Sequence, residues 1–317
     1  MRENSRLQGV GGVIGGIAKL GLGTVQFGLD YGVTNLRGRV SPDEASRIVG
    51  DAIAAGIRVF DTAAAYGDSE TILGQALRHP EARIVTKLPA LAGESVDGAD
   101  IDGLRRIFEQ SLKRLQRPNV DGLLLHRPDD LGKPGGEKLA RLLADLKSAG
   151  LCRKIGVSVY DAAQIKAAQK SISLEMVQAP ANLLDQRLLR DGSLQALKDA
   201  GCEVHVRSAF LQGLLIGLDG PLPAYFQQYA PMLDRVRAAA GAAKLSPLEL
   251  ALEFLLEQND IDHIIVGVTR AEELAAILDA AGRPKAMPGS LEKLACDDPG
   301  LINPSLWPAA KEPNRSP

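Results

Sequence analysis

The stretch IRVFDTAAAYGDSE, residues 57–70, sets the pattern on which the chain is built. Its first residues are β-branched or aromatic, which suits a buried strand, and small residues with one glycine then lead into a helix. Two ionisable side chains, Asp61 and Tyr66, stand where the strand ends. Taken alone, the stretch leaves two interpretations open. Asp61 caps a turn and Tyr66 is a half-buried wall residue, or both belong to a functional site.

The same succession of strand, loop and helix recurs along the whole sequence. Apolar runs predict strands at 20–24, 57–63, 83–88, 120–127, 152–160, 175–182, 202–210 and 263–269. Helical periodicity predicts helices at 41–56, 69–78, 101–115, 138–150, 161–170, 191–200, 233–243, 246–258 and 271–282. Strands that alternate with helices predict right-handed crossovers and a parallel sheet. Eight such units predict a closed (β/α)8 TIM barrel with its active site at the carboxyl ends of the strands.

We expect one domain over residues 1–317, with the barrel core at about 18–282 and an irregular, Pro-rich tail that contains Trp307. The Gly-rich N-terminal segment is too rich in glycine for a signal peptide helix. It also lacks the third glycine and the preceding strand of a dinucleotide fingerprint. We expect it to form a hairpin that closes one end of the barrel.

Composition narrows the classes of function. Hydrophobic residues make up 45%, charged residues 24%, and the net charge is −2, which is ordinary for a globular protein. No basic stripe predicts a nucleic acid or membrane partner. The three cysteines form no CxxC motif and the four histidines show no metal-ligand spacing, so we expect neither disulfides nor a metal, and a cytoplasmic location.

Four ionisable side chains end neighbouring predicted strands: Asp61 and Tyr66, then Lys87, then His126. Each has an ordinary structural interpretation, such as a solvated lysine or a core histidine, but their coincidence at adjacent strand ends favours a site. Such a group supports proton transfer to a carbonyl oxygen. Tyr66 would be the general acid, Lys87 would lower its pKa, Asp61 would hold the lysine, and His126 would orient the carbonyl. Because no side chain supplies a hydride, a nicotinamide cofactor is implied.

With these residues the sequence resembles the aldo-keto reductase family over nearly its whole length. The motifs that carry the resemblance are LGLGT (20–24), FDTAAAYGDSE (60–70), IVTKL (84–88), LLLHRP (123–128), IGVSV (155–159), VQAPANLLDQR (177–187), AFLQGLL (209–215) and IIVGVTRAEEL (264–274). The resemblance implies NADPH-dependent reduction of aldehydes or ketones, with Asp61, Tyr66, Lys87 and His126 as the catalytic tetrad.

The resemblance also implies contacts to the cofactor. Ser158 and Gln178 would hold the carboxamide, the backbone of Gly23 and Thr24 would lie near the nicotinamide, and the phosphates would meet Phe210, Leu211, Gln212 and Gly213. Gly267, Thr269 and Arg270 would serve the adenosine end.

Three positions depart from the family pattern. Val159 stands in place of an asparagine, and Arg207 stands where an aromatic residue commonly stacks on the nicotinamide. We expect Arg207 to stack there through its guanidinium plane, with an anionic substrate group or the pyrophosphate as alternatives. Glu273 follows Arg270 and could oppose a 2′-phosphate, so NADP(H) is favoured and NAD(H) remains open.

The substrate is expected to be a polar carbonyl compound, such as a sugar-derived aldehyde, in contact with Phe27, Tyr31, Arg127 and Tyr225. The sequence gives no oligomeric state. Two alternatives to a reductase stay open: a nicotinamide-binding regulatory subunit similar to the channel-associated members of the family, and a Schiff-base lyase or isomerase with Lys87 as the amine.

Overall fold

A computed structural model of the chain describes residues 13–308, apart from 219, 284, 286–288 and 290. Eight parallel strands form a closed barrel in sequence order, with β1 also paired to β8. The strands are β1 Leu20–Gly23, β2 Val59–Asp61, β3 Arg83–Leu88, β4 Val120–Leu125, β5 Cys152–Ser158, β6 Met176–Pro180, β7 Glu203–Arg207 and β8 His263–Gly267. The predicted (β/α)8 barrel is confirmed.

The described helices surround the barrel. They are α1 Val13–Ala18, α2 Val25–Gly28, α3 Pro42–Ala55, α4 Ser69–Ala76, α5 Gly98–Leu115, α6 Gly136–Ser148, α7 Ala162–Gln169, α8 Arg187–Arg190, α9 Ser193–Asp199, α10 Ala230–Ala243, α11 Pro247–Leu256, α12 Ala271–Ala281 and α13 Pro299–Ile302. Short 3-10 helices occupy Pro128–Gly132, Ala224–Tyr229, Glu292–Leu294 and Pro304–Leu306. Among the helices described, none combines the length and apolarity needed to cross a membrane.

Helix boundaries differ from the sequence expectation where capping decides them. Helix α5 begins three residues before the expected position because Asp97 and Asp100 form a reciprocal capping box. The helix expected at 191–200 is α9, which begins after Gly192 in the left-handed conformation at φ 74°, and a short helix that we did not expect, α8, precedes it. The tail also contains helical turns where we expected irregular chain.

The start of α3 shows a cap shared between helices. The Ser41 hydroxyl accepts the Glu44 backbone N–H and so caps the helix. The Glu44 carboxylate does not return to Ser41; it accepts the backbone N–H of Ala271, the first residue of α12, at 2.7 Å. A negative charge at a helix N-terminus is favourable, so Glu44 stabilises α12 and ties the first long helix to the last.

The N-terminal segment lies mostly outside the described residues, which begin at 13. The part that is described forms α1 rather than the expected hairpin. A Cβ at Gly16 would collide with the carbonyl oxygen of Ala281, so the glycine allows α1 to pack closely on α12. Lys19 fixes the following turn by donating to the carbonyls of Leu256 and Gln258.

The barrel interior is filled rather than hollow. Val59, Val85, Leu124, Met176 and Ile265 form a separate buried cluster inside the strands. Glycines on the strands make room for the larger members; a Cβ at Gly122, for example, would lie 2.7 Å from the sulfur of Met176. The packed interior leaves the carboxyl ends of the strands as the place where side chains can surround a ligand.

Candidate active site

A cavity of about 370 Å³ lies at the carboxyl ends of the strands. It is lined by most of the residues that the sequence proposed for a site. Those residues are Gly23, Thr24, Tyr31, Asp61, Tyr66, His126, Ser158, Gln178, Arg207, Phe210, Gln212, Gly213, Gly267 and Thr269.

A buried ion pair forms the base of this cavity. The Lys87 Nζ donates to both carboxylate oxygens of Asp61 at 2.7 Å and to the carbonyl oxygen of Thr62 at 2.9 Å. The side chain of Lys87 is fully buried, and that of Asp61 is 6% exposed. Gln178 donates its amide N–H to Asp61 at 2.7 Å. The carboxylate is therefore held from two strands in addition to its own.

Tyr66 lies above this pair, in the loop between β2 and α4. The Lys87 Nζ is 5.2 Å from the centre of the Tyr66 ring, and the His126 ring packs edge-on at 5.7 Å. A Cβ at Gly28 would collide with the carbonyl oxygen of Tyr66, and Gly67 has a φ of 54°. The two glycines therefore let α2 support the Tyr66 loop at close range.

The loop is also fixed by hydroxyl groups. Ser69, at the start of α4, donates to the carbonyl oxygen of Thr24 at 2.7 Å and contacts the hydroxyl of Thr62 at 3.0 Å. The Thr24 hydroxyl donates to the carbonyl oxygen of Asp61 at 2.9 Å. These buried bonds join the ends of β1 and β2, so Asp61 and Tyr66 keep a defined spacing.

The electrostatics keep Tyr66 protonated. Burial raises the pKa of Tyr66 well above its ordinary value, and the Asp61 carboxylate raises it further. We expected Lys87 to lower this pKa; the net shift is upward, because burial and the Asp61 carboxylate dominate. Burial also lowers the pKa of His126 to about 4, with the Lys87 charge acting in the same direction. At neutral pH the site therefore holds a phenol and a neutral imidazole.

Arg207 ends β7 and projects into the same cavity. Its guanidinium carbon lies 4.3 Å from the centre of the Tyr160 ring, and one Nη donates to the carbonyl oxygen of Val159 at 3.0 Å. The guanidinium of Arg207 thus stacks on the Tyr160 ring, whereas we expected it to stack on a nicotinamide. Tyr160 lies two residues beyond the end of β5, where strand alternation no longer fixes the direction of a side chain, so the sequence carried no signal for this contact.

The chain after β7 is strained. Ser208, Leu211 and Gln212 are non-glycine residues with φ of 61°, 44° and 54°, followed by Gly213 at 90°. Each such residue costs on the order of 1–3 kcal/mol, and this strain tends to persist at ligand-binding sites. The Thr34 hydroxyl donates to the carbonyl oxygen of Gln212 at 3.2 Å and so joins the loop after β1 to this segment.

Six proposed residues do not line the cavity. Lys87 lies behind Asp61, and Leu211 is fully buried within the strained segment. Arg270 pairs with Glu273 at 3.2 Å. Among the three proposed substrate residues of this group, Phe27 is fully buried in the hydrophobic core.

The other two proposed substrate residues are likewise engaged elsewhere. Arg127 bonds to Asp130 at 2.8 Å and to the carbonyl oxygen of Leu91. Tyr225 donates its hydroxyl to the carbonyl oxygen of Gly300 at 2.9 Å, within the packing of the C-terminal segment. The structure therefore places Phe27, Arg127 and Tyr225 outside the lining of the cavity, whereas Tyr31 lies in it.

The closed parallel barrel and the position of the cavity place the chain among (β/α)8-barrel proteins, whose active sites lie at this end. The sequence profile of the Aldo/keto reductase family matches residues 19–286. The chain belongs to this family, whose members are oxidoreductases that act on carbonyl compounds.

The identity to individual relatives is low, but the similarity extends over most of each chain. The 6-dehydroglucose reductase of Novosphingobium aromaticivorans is 30% identical over 222 residues, covering 64% of this chain and 70% of the relative. The NADH-specific methylglyoxal reductase of Escherichia coli is 28% identical over 291 residues, covering 81% and 88%. The solved structure of the glycerol dehydrogenase AKR11B4 from Gluconobacter oxydans has a TM-score of 0.69 and 25% identity, covering 87% and 90%.

Proposed function

We propose that this protein reduces an aldehyde or ketone to an alcohol with a nicotinamide cofactor, and that Tyr66 donates the proton. One observation carries the proposal: the Tyr66 side chain lines the cavity, above a buried Asp61–Lys87 pair and beside His126. Among the described residues, neither the Tyr66 hydroxyl nor the His126 ring has a hydrogen-bond partner. Both are therefore available to a carbonyl oxygen.

The residues divide the work by their protonation. Tyr66 holds its proton at neutral pH and can transfer it to a carbonyl oxygen as negative charge develops there. Lys87 stabilises the phenolate that remains, and Asp61 keeps the lysine charged and in place. The neutral His126 can donate a second hydrogen bond that orients the carbonyl. Asp61 and Lys87 are buried at the base of the cavity, which strengthens the interactions between these charges.

A nicotinamide dinucleotide fits the cavity residues. The buried amide oxygen of Gln26 has no partner among the described residues, which suits an amide-bearing ligand. A Cβ at Gly267 would lie 2.7 Å from the Gln26 amide, so the glycine keeps this wall open. Ser158, Gln178, Gln212 and Gly213 would complete the contacts. When bound, the reduced cofactor supplies the hydride.

The choice between the two dinucleotides depends on Glu273. Its carboxylate accepts the backbone N–H of Thr269 at 2.7 Å and pairs with Arg270 at 3.2 Å. A 2′-phosphate would compete for these donors and would be repelled by the carboxylate. This arrangement weighs toward NAD(H), against the preference for NADP(H) that the sequence suggested. We expect Glu273→Gln to improve NADPH affinity relative to NADH.

The Schiff-base alternative conflicts with the position of Lys87. An amine that attacks a carbonyl must be deprotonated and must reach the substrate. Lys87 is fully buried and donates three hydrogen bonds to Asp61 and Thr62.

The substrate class we propose is a small polar carbonyl compound, in keeping with relatives that carry the names 6-dehydroglucose reductase and methylglyoxal reductase.

The test separates cofactor binding from turnover. NADH and NADPH are titrated into the protein and followed by cofactor fluorescence and by thermal unfolding. A panel of polar and apolar aldehydes is then assayed with each cofactor. Binding of at least one reduced cofactor together with its aldehyde-dependent oxidation supports the proposal. If neither cofactor binds, the reductase function is overturned; if one binds without any turnover, a regulatory role is favoured instead.

A further inference from the structure

Arg207 carries more charge into the cavity than the chain needs for its own structure. A guanidinium has five N–H donors. Among the described residues, Arg207 donates to the carbonyl oxygen of Val159 at 3.0 Å and contacts the hydroxyl of Ser208 at 3.4 Å, and no carboxylate pairs with it. The remaining donors have no partner within the part of the chain that the structure describes.

The cavity is otherwise balanced in charge. Its lining contains two carboxylates, Asp61 and Glu273. Asp61 is neutralised by Lys87 at 2.7 Å, and Glu273 by Arg270 at 3.2 Å. Arg207 therefore leaves the described lining with an uncompensated positive charge. A half-enclosed cavity of this kind attracts an anionic group.

The guanidinium is also held rigidly. Tyr160 covers one face at 4.3 Å, and the Val159 carbonyl fixes one Nη. A fixed guanidinium plane offers two parallel N–H groups to a carboxylate and loses little freedom when it binds one. The position favours recognition of a planar anion over a merely solvated charge.

We propose that Arg207 binds a carboxylate on the substrate, so that the preferred substrates are oxo acids, in which one molecule carries both the reducible carbonyl and an acid group. This inference rests on the proposed reductase function and names its substrate class. The carboxylate lies against Arg207 while the carbonyl oxygen lies at Tyr66 and His126. Arg207 is thus a specificity determinant, distinct from the groups that transfer the proton.

The same charge could serve a phosphate of the cofactor, and the position of Arg207 decides between the two sources. Its positive charge acts on the pKa values of Tyr66, Lys87 and His126. Arg207 also lines the same cavity as Tyr66 and His126, so it faces the space where the reacting carbonyl must lie. A substrate that carries both groups can place its carboxylate at Arg207 and its carbonyl at Tyr66. The strained segment at 211–213 remains for the phosphates of the cofactor.

The test compares substrates that differ only in charge. 4-Carboxybenzaldehyde and methyl 4-formylbenzoate have the same ring and aldehyde, but only the first is an anion. For the wild-type protein we expect kcat/KM for the acid to exceed that for the ester by about tenfold or more. In Arg207→Gln we expect the acid to lose about 10- to 100-fold, since a charge-assisted hydrogen bond is lost, while the ester changes by less than about twofold.

Two variants keep the result interpretable. Arg207→Lys retains the charge without the planar fork and should restore part of the preference for the acid. Arg153→Gln removes an exposed arginine at the other end of the barrel, where the side chain is 73% exposed, and should leave both substrates unchanged. Equal losses for acid and ester in Arg207→Gln, or a weaker Kd for the reduced cofactor, would overturn the proposal in favour of a cofactor contact or a general structural role.

A binding measurement separates this proposal from the reductase function. Isothermal titration of 4-(hydroxymethyl)benzoate and its methyl ester needs no turnover. We expect only the anion to bind the wild-type protein, and Arg207→Gln to lose that binding. If no aldehyde is reduced but the anion binds in this Arg207-dependent way, the reductase function fails and the anion site stands. If acid and ester bind alike, the anion site fails whatever the assay shows.

Discussion

Each end of the barrel buries a carboxylate that is paired with basic side chains, but the two ends differ in which polar groups have no hydrogen-bond partner among the described residues. At the carboxyl ends of the strands, Asp61 accepts two bonds from Lys87 at 2.7 Å. At the amino ends, Glu203 accepts two bonds from Arg83 at 2.6 and 2.8 Å and one from Lys154 at 2.5 Å. Both carboxylates are thus neutralised by cations on other strands.

At the amino ends of the strands, the histidines contact other protein side chains. At the amino ends, His205 contacts Glu203 at 2.8 Å and packs edge-on against His263 at 5.0 Å. These side chains present donor atoms within 4.8 Å of one another, which is a possible metal-ligand set. Arg83 and Lys154 already neutralise the carboxylate, however, and would repel a cation. We call Arg83, Lys154, Glu203, His205 and His263 the floor cluster. We interpret it as a structural connection between β3, β5, β7 and β8.

At the carboxyl ends, by contrast, donors are left over. Lys87 is satisfied by Asp61, but the described residues provide no hydrogen-bond partner for the Tyr66 hydroxyl or the His126 ring, and both side chains line the cavity. The same residue types therefore hold strands together at one end and can act on a ligand at the other. What distinguishes a site is the polar group that the fold leaves unsatisfied beside a cavity.

The largest effect should come from removing the unsatisfied phenol. Tyr66→Phe deletes the proton donor and leaves the ring and its packing. We expect kcat for carbonyl reduction to fall by about 10²- to 10⁴-fold, with cofactor affinity and thermal unfolding nearly unchanged. Steady-state kinetics with saturating cofactor measures this. If the Tyr66→Phe variant keeps the wild-type kcat, Tyr66 is a wall residue and not the proton donor.

Removing the buried lysine should combine loss of activity with loss of stability. Lys87→Met leaves Asp61 buried without its cation, and breaking a buried ion pair by removing one partner costs about 3–5 kcal/mol. Urea unfolding measures the change in free energy. As a matched control, the double variant Asp61→Asn, Lys87→Met buries no unpaired charge and should recover part of the stability but none of the activity. A single variant as stable as the wild type would contradict the pairing.

The contrast also explains what the sequence could predict. The groups at the carboxyl ends follow apolar strands within contiguous motifs, so Asp61, Lys87 and His126 could be placed together by barrel symmetry. The floor cluster brings together residues near the starts of four strands, β3, β5, β7 and β8, and has no local motif. Phe27 was misplaced because the unexpected one-turn helix α2 directs it into the core. The partner of Arg207, Tyr160, depended on a side-chain direction that only the folded loop defines.

A substitution in the floor cluster should change stability alone. Glu203→Gln keeps the shape of the side chain and removes the charge that Arg83 and Lys154 contact. We expect a loss of about 1–3 kcal/mol, the usual worth of hydrogen bonds to charged groups, with kcat/KM unchanged within about twofold. Chemical unfolding and the aldehyde assay are run on the same preparation. A large loss of activity without loss of stability would assign the floor cluster a role beyond structure.

The pH dependence of the free energy of unfolding tests the histidines at both ends of the barrel. Burial, with the neighbouring His205, lowers the pKa of His263 to about 4, while Glu203 opposes that shift and Arg83 assists it. The unfolded chain binds a proton near pH ~6.5, so above that pH neither state gains one. Between about pH 6.5 and 4 only the unfolded state is protonated, and the free energy of unfolding falls as the pH falls, by up to about 3 kcal/mol for one such group.

Because His126 is depressed to about the same pKa of 4, the two ends contribute to one acid transition. His263→Gln removes the contribution of the floor cluster, and His126→Gln removes that of the candidate active site. We expect each variant to reduce the slope of unfolding free energy against pH between about 6.5 and 4.5, before the carboxylates titrate, and only His126→Gln to change the carbonyl assay at about pH 7.5. If His263→Gln leaves the slope unchanged, the floor histidine is already protonated in the folded state, and the cluster depends on charge pairing with Glu203 rather than on burial.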